Sequence, residues 1–273
     1  MLHFPTMKRP MLGVSHMIAV ASGKGGVGKT TVAVNLALAL ARGGAAVGLY
    51  DADLYGPNVP LMLGVTRSRS IPDFIPVARA NARPYLPPLE RFGLKVMSIG
   101  FFMGTDDAVT PPPDAAGDII RQTLQDVKWG LLDYLVIDLP PGTGEPQQTL
   151  LDTMPIAGVV FVTTPQELAR MDASRALAFF RQRAAPILGV IENMSYLHCP
   201  HCGERIELFH RGPRTYAIEA EELTLLGRIP MTMAISRGID ATHPLVQGGR
   251  PTPETTVFRE IAAKLVEKLP PAA

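Results

Sequence analysis

Ser22-Gly23-Lys24-Gly25-Gly26-Val27-Gly28-Lys29-Thr30 is the stretch on which the reading of this chain turns. Two patterns overlap in it. Gly23, Gly25 and Gly28 satisfy G-x-G-x-x-G, the loop that lets a dinucleotide pyrophosphate approach the backbone. Asp51 and Asp53 lie downstream, near where a ribose would need a carboxylate. Residues 23–30 also satisfy G-x-x-x-x-G-K-T, the phosphate loop. Lys29-Thr30 separates the two, because a ribose-reading site has no use for a lysine and a hydroxyl at the end of the loop, whereas a triphosphate site needs both. The expected cradle is the backbone of Gly25, Gly26, Val27, Gly28, Lys29, Thr30 and Thr31, at the N-terminus of a helix. Lys29 reaches the β- and γ-phosphates and the Thr30 hydroxyl ligates Mg2+, so ATP with Mg2+ is the expected ligand.

The flanks fit this reading. Residues 17–21 form a short apolar strand before the loop. Residues 30–41 after it are rich in alanine and leucine and nearly free of charge, which predicts a helix buried on several faces. Tyr134-Leu135-Val136-Ile137 reads as another strand, and Asp138 at its end is placed to hold the metal through water. Pro140, Pro141, Gly142 and Gly144 then make a rigid turn near the γ-phosphate, suited to sensing it. Asp51 and Asp53 end a strand over residues 46–50. Asp53 is the candidate for orienting the attacking water, with a water-mediated metal contact as its alternative role. No glutamate ends a strand where a general base would stand.

Composition sets the outer limits. The chain has 273 residues, 47% of them apolar and 19% charged, enough for a large core in one unit. Its net charge of +1 provides no global attraction to nucleic acid or to an acidic membrane. Lys8 and Arg9, the uncharged stretch over residues 10–23 and Ala19-Val20-Ala21 imitate a secretion signal, but cleavage there would remove the strand that launches the loop. No uncharged apolar run reaches the ~18 residues of a spanning helix. A cytoplasmic protein is expected, with neither nucleic acid nor membrane as partner.

Further strands are expected over residues 94–99, 158–162, 187–191 and 223–227. Helices are expected over 118–129, 166–183 and 254–269, with a short one ending at 61–63. The last carries Val257, Ile261, Leu265 and Val266 as its apolar stripe. Residues 101–117 read as loop with Pro111-Pro112-Pro113 as its stiff centre. Short apolar strands alternating with helices predict an α/β fold: a mostly parallel sheet with helices on both faces. The expected organisation is a single P-loop ATPase domain over 1–273. It carries a short arm at 1–16, a flexible Pro- and Arg-rich insertion at 66–91 and a C-x-x-C loop at 196–213.

Lys24, the second lysine of the loop, makes residues 22–30 resemble the deviant Walker A loop of the MinD, ParA and nitrogenase-iron-protein class. That resemblance implies that Lys24 reaches across a dimer interface to the partner's phosphates. Asp51-Ala52-Asp53-Leu54-Tyr55-Gly56-Pro57-Asn58, Asp138-Leu139-Pro140-Pro141-Gly142-Thr143-Gly144, Thr163-Thr164-Pro165-Gln166, Glu192-Asn193-Met194-Ser195-Tyr196 and Cys199-Pro200-His201-Cys202-Gly203 narrow it further. Together they resemble the Mrp/ApbC family of iron–sulfur cluster carrier ATPases, over roughly residues 17–269. The resemblance implies Asn193 as an adenine contact, slow regulatory ATP hydrolysis in a nucleotide-bridged homodimer, and delivery of a 4Fe–4S cluster to apo acceptor proteins, with scaffold proteins as further partners. The chain departs from the family at three places. About sixteen residues precede the first strand, where many members carry a small extra domain. Thr110-Pro111-Pro112-Pro113-Asp114 replaces a Trp-Arg-Gly-Pro-like segment, and Phe209-His210-Arg211-Gly212-Pro213 a glycine-rich one.

Cys199 and Cys202 are the chain's two cysteines. A thiol redox pair needs its first cysteine at a helix N-terminus after a strand, whereas this pair lies in a loop with proline and glycine close by. A metal or cluster site is the expected reading, with ordinary loop side chains as the bland one. Two thiolates complete neither a four-iron cluster nor a tetrahedral zinc site. Two copies on a twofold axis supply four. The rival is zinc within one chain, using His198, His201 or His210. A MinD- or ParA-like positioning ATPase is the alternative function, although it leaves the cysteines without a role, and over residues 257–269 Glu260 and Glu267 balance Lys264 and Lys268 where a membrane-seeking helix would be more basic and carry larger apolar residues. A metabolic kinase or amide ligase would need a charged small-molecule pocket that no pattern marks.

Overall fold

Strand β1 (Val14–Ser22) runs into the phosphate loop and helix α1 (Lys29–Arg42) leaves it. The computed structural model describes residues 11–65, 85–102, 113–199, 201–209, 223–247 and 251–271. In chain order there follow β2 (Val47–Asp51), α2 (Val59–Met62), β3 (Leu89–Arg91), β4 (Leu94–Ser98) and a 3-10 turn, Ile99–Phe102. Next come α3 (Pro113–Asp126), β5 (Leu132–Asp138), α4 (Glu145–Thr153), β6 (Ile156–Thr163), α5 (Glu167–Gln182) and β7 (Ile187–Glu192). The chain continues through β8 (Leu197–His198), β9 (Arg205–Ile206), β10 (Leu225–Arg228), α6 (Met233–Asp240), a second 3-10 turn, Leu245–Gln247, and α7 (Pro253–Lys268).

Eight strands form one sheet in the order β10-β7-β6-β1-β5-β2-β4-β3, parallel except where β3 pairs antiparallel with β4 at an edge. The continuous apolar runs that suggested strands buried on both faces are so buried: Met17 to Ala21, Leu135 to Ile137 and Val159 to Val162 are all inside. Val20 lies opposite Asp138, and Asp51 opposite Asp138 from the other side, so the carboxyl ends of β1, β5 and β2 are level. Their loops therefore converge where ligands bind in open parallel sheets. Helix α1 is buried from Val32 to Leu40 because the sheet holds one side and α7 the other.

Several boundaries differ from expectation. The helix expected over 118–129 is α3 and starts at Pro113. Proline is tolerated at a first helical position, where the N–H has no intrahelical partner, so the third proline opens a helix instead of stiffening a loop. The other two lie outside the described residues. In α7 the buried apolar residues are Phe258, Ile261, Ala262 and Leu265, while Val257 and Val266 are half-buried. The stripe is rotated because the helix packs on both α1 and β10. Helix α4 had no expectation attached; its nine residues are too few and too polar to display a helical period. The insertion at 66–91 ends in structure: Leu86 bridges to Val127, and Leu89–Arg91 is β3. Its residues 66–84 lie outside the described residues, as do residues 1–10 of the arm, whose last residues enter β1 at Val14. The described part of the 196–213 loop contains the hairpin β8–β9. Among the described residues, no helix is long and apolar enough to cross a membrane.

Candidate functional site

The phosphate loop is shaped by glycine where other residues would not fit. Gly26 and Gly28 hold left-handed φ of 79° and 82°. A Cβ on Gly23 would fall 2.2–2.4 Å from backbone atoms of Asp172 and Ala173 in α5, and one on Gly28 would lie 2.3 Å from Asn193 Nδ2. On Gly25 or Gly26 it would meet nothing within 4 Å. The loop is thus clamped at both ends, and its middle is open on the side where phosphates approach. A cavity of about 300 Å³ lies there, bordered by Lys24, Lys29, Thr30, Asp53, Asn58 and Pro141 among others.

Lys29 Nζ lies 2.6 Å from Asp138 Oδ1, a pair whose side chains are 7% and 0% exposed. Strand order creates this pair, since β5 is hydrogen-bonded beside β1. Burial pushes the Asp138 carboxyl up, and the Lys29 ammonium pulls it back. Asp138 Oδ2 is buried with no hydrogen-bond partner among the described residues. A buried carboxylate oxygen left open beside a threonine hydroxyl is the donor set a water-coordinated Mg2+ needs, so these residues fit the metal. Thr30 Oγ lies 3.5 Å from Lys29 Nζ.

Asp51 and Asp53 do different work. Asp51 is fully buried: Oδ2 accepts from Ser98 Oγ at 3.0 Å and from the Val59 amide at 3.2 Å, and Oδ1 from the Asp53 amide at 3.2 Å. It ties the following loop to β4 and to the start of α2. Burial and then the neighbouring Asp138 push its carboxyl up to about 8. Asp53 borders the cavity. Burial raises its carboxyl, Lys29 lowers it, and its Oδ1 takes the Gly56 amide at 3.3 Å. Ser98 carried no recognisable signal in the sequence, because its role exists only where β4 lies beside β2.

Lys24 stands at the cavity rim, its carbonyl taking Ser22 Oγ at 3.0 Å and its Nζ 3.4 Å from Gln166 Oε1. Asn193 is buried under the loop, donating from Nδ2 to the Val27 carbonyl at 2.8 Å and from its backbone to Thr163 O at 2.8 Å. Six residues further, the hairpin carries Cys199, half-buried, and Cys202, exposed; both are free thiols. The hairpin closes through the Cys199 amide to Glu204 O at 2.8 Å and the Gly203 amide to Cys199 O at 2.9 Å. Backbone amides of Cys202 and His201 directed at the Cys199 sulfur lower its pKa. His198 Nδ1 is taken up by Gly203 O at 3.1 Å, and the Arg205 guanidinium lies 4.0 Å over the Tyr196 ring. Among the described residues no group of three or more His, Cys, Asp or Glu side chains could hold a metal. The zinc rival thus finds no set with His198 or His201, and His210 lies outside the described residues.

A phosphate loop between β1 and α1, an acidic residue ending the adjacent β5 and a lysine at the second position of the G-x-x-x-x-G-K-T segment define a P-loop ATPase of the deviant Walker A class. A family model described as the NUBPL iron-transfer P-loop NTPase, of the ParA group, matches residues 13–266, and the chain belongs to that family. The iron–sulfur cluster carrier protein of Synechocystis sp. is 42% identical over 261 residues, spanning 95% of this chain and 72% of that protein. The solved nucleotide-binding protein from Archaeoglobus fulgidus, in complex with ADP, is 35% identical and superposes with a TM-score of 0.71 over 89% of this chain and 91% of that one. The septum site-determining protein MinD of Pyrococcus horikoshii, in complex with Mg-ADP, superposes with a TM-score of 0.64 over 92% of this chain and 95% of its own. At 22% identity it shares the fold.

Proposed function

We propose that this ATPase is an iron–sulfur cluster carrier that holds a 4Fe–4S cluster between two copies of the chain and passes it to apo acceptor proteins, directly or from scaffold proteins. The carrying observation is the free Cys199/Cys202 pair on a hairpin that continues from Asn193, the residue clamping the phosphate loop. The family and the named function of its relatives support the same reading. Two thiols per chain make half of a four-thiolate set, so cargo binding and dimer formation become one event.

In this reading ATP enters over Gly25 and Gly26, and Lys29 turns from Asp138 to the β- and γ-phosphates. Thr30 and, through water, the open Oδ2 of Asp138 would hold Mg2+, which when bound neutralises phosphate charge. Asp53 orients the attacking water. Lys24 leaves Gln166 and completes the partner's site as an electrostatic clamp. Asn193 links base recognition to the hairpin through Met194 to Leu197. The free thiol pair belongs in a reducing compartment such as the cytoplasm, and the balanced charge draws the chain to neither nucleic acid nor membrane.

Anaerobic reconstitution with iron and sulfide tests the proposal. About four irons and four sulfides per two chains are expected, with a dimeric mass in solution. Cys199→Ser or Cys202→Ser should abolish both while ATP binding persists. A monomer that takes up one metal ion and no sulfide overturns the carrier reading.

A further inference from the structure

We propose that Gln147 is a positioning residue for ATP hydrolysis: it holds the Pro140-Pro141 turn against the phosphate side of the site. The turn follows Asp138, and its two prolines have no N–H groups, so Pro140 and Pro141 present carbonyls to α4 and the turn's own donations come from the flanking Leu139 and Gly142 amides, to Val20 O at 3.1 Å and Ser22 O at 2.9 Å. Gln147, in the first turn of α4, supplies the missing donors. It is 1% exposed, and its Nε2 donates to Pro140 O at 2.8 Å and to Pro141 O at 3.3 Å. Carbonyls only accept, so chemistry alone orients the amide with its nitrogen toward the prolines.

That orientation leaves Gln147 Oε1 buried with no partner among the described residues. A buried acceptor without a donor is unfavourable. A side chain kept only to fill this space would be better as leucine or methionine. Position explains why an amide is there. Gln147 borders a cavity of about 560 Å³ with Tyr55, Glu145, Asp53, Asn58 and Pro141, and the last three also border the phosphate-loop cavity. Pro141 is therefore a shared wall, and Gln147 stands behind it, acting through the turn and not on the nucleotide.

Both ends of the device are anchored. The Gly142 amide donates to Ser22 O at 2.9 Å, fixing the far side of the turn to the end of β1. Glu145 Oε2 accepts the Gly117 amide at 2.7 Å, fixing the first turn of α4 to α3, and its Oε1 is held within α4 by Thr149 Oγ at 2.8 Å. Gln147 thus sets the distance between a rigid helix pair and the turn facing Asp53.

Steady-state ATP hydrolysis by the full chain tests this. Gln147→Leu keeps the volume and removes the donors; kcat should fall about tenfold while KM for ATP stays within about twofold. Gln147→Glu turns both donors into acceptors, and protonation of the new carboxyl at low pH returns one O–H to Pro140. The kcat of Q147E relative to the parent should therefore rise as pH falls from about 8 to 6. Asp53, Tyr55 and Glu145 share the cavity and are present in both proteins, so the ratio is the quantity read. A folded Q147L with kcat within about twofold of the parent, or a loss carried wholly by KM, overturns the proposal. Should Q147L not fold, Q147E decides alone: a ratio flat with pH overturns it, and recovery at low pH upholds it.

Discussion

Replacing Lys29 by methionine separates the fold from the chemistry. The substitution keeps most of the stem and removes the ammonium 2.6 Å from Asp138 Oδ1. Asp138 is fully buried, so it has two options. It can stay charged without its partner, which costs about 3–5 kcal/mol. Alternatively it takes up a proton, at a cost of about 1.4 kcal/mol for each pH unit above the unfolded value near 3.9. At pH 5 protonation is cheaper, at about 1.5 kcal/mol; at pH 8 the penalty reaches the charged-state range. Burial already holds the folded pKa of Asp138 above its ordinary value, and losing Lys29 raises it further. The folded variant then keeps a proton that the unfolded chain has released. The variant should therefore be best folded near pH 4 and lose stability as pH rises toward the raised folded pKa. Urea unfolding of the nucleotide-free parent and K29M should differ by about 2–3 kcal/mol more at pH 8 than at pH 5. Asp138→Asn in the K29M background should recover most of the difference. An equal penalty at both pH values, with no recovery from D138N, would refute the buried pair as the origin of the effect.

Gly23→Ala should lower stability by about 3 kcal/mol or prevent folding, because backbone atoms of Asp172 and Ala173 cannot yield; Gly25→Ala, with open space around it, should melt like the parent and bind ATP more weakly. Asn193→Ala leaves the buried Val27 carbonyl without its donor and should cost about 1–3 kcal/mol in urea unfolding. Lys24→Ala should fold normally and form less ATP-driven dimer by light scattering, and parental dimerisation would remove the in-trans role. Asp53→Ala should bind ATP by calorimetry and hydrolyse it at least about tenfold more slowly.

Legibility in the sequence followed locality. The phosphate loop needs only nine consecutive residues and the strand and helix on either side, so residues 22–30 announce their chemistry without help. The C-x-x-C spacing of Cys199 and Cys202 is just as local, and it is what the proposed half-set of cluster ligands rests on. Apolar runs marked the buried strands because a parallel sheet covered on both faces suppresses alternation. Helix α3 was misplaced at its start because a run of prolines reads as a stiff loop and also as a loop followed by a helix with proline at its first position. Helix α4 was missed because nine mostly polar residues carry no measurable period, and Gln147 was missed with it.

Tertiary structure decided which of these residues meet. The motifs bring Asp138 and Lys29 to one nucleotide site, but nothing in the chain order says that the two, 109 residues apart, form a direct buried ion pair, or that Ser98 secures Asp51. Those contacts follow from β5 and β4 lying next to β1 and β2, an order chosen by which apolar faces bury together. The same order places Asn193 under Val27 and Gln147 behind Pro141. A motif can be read where neighbouring residues make the site. An ion pair, a clamp or an orphaned amide oxygen depends on distances between segments, and those exist only once hydrophobic burial has fixed the sheet.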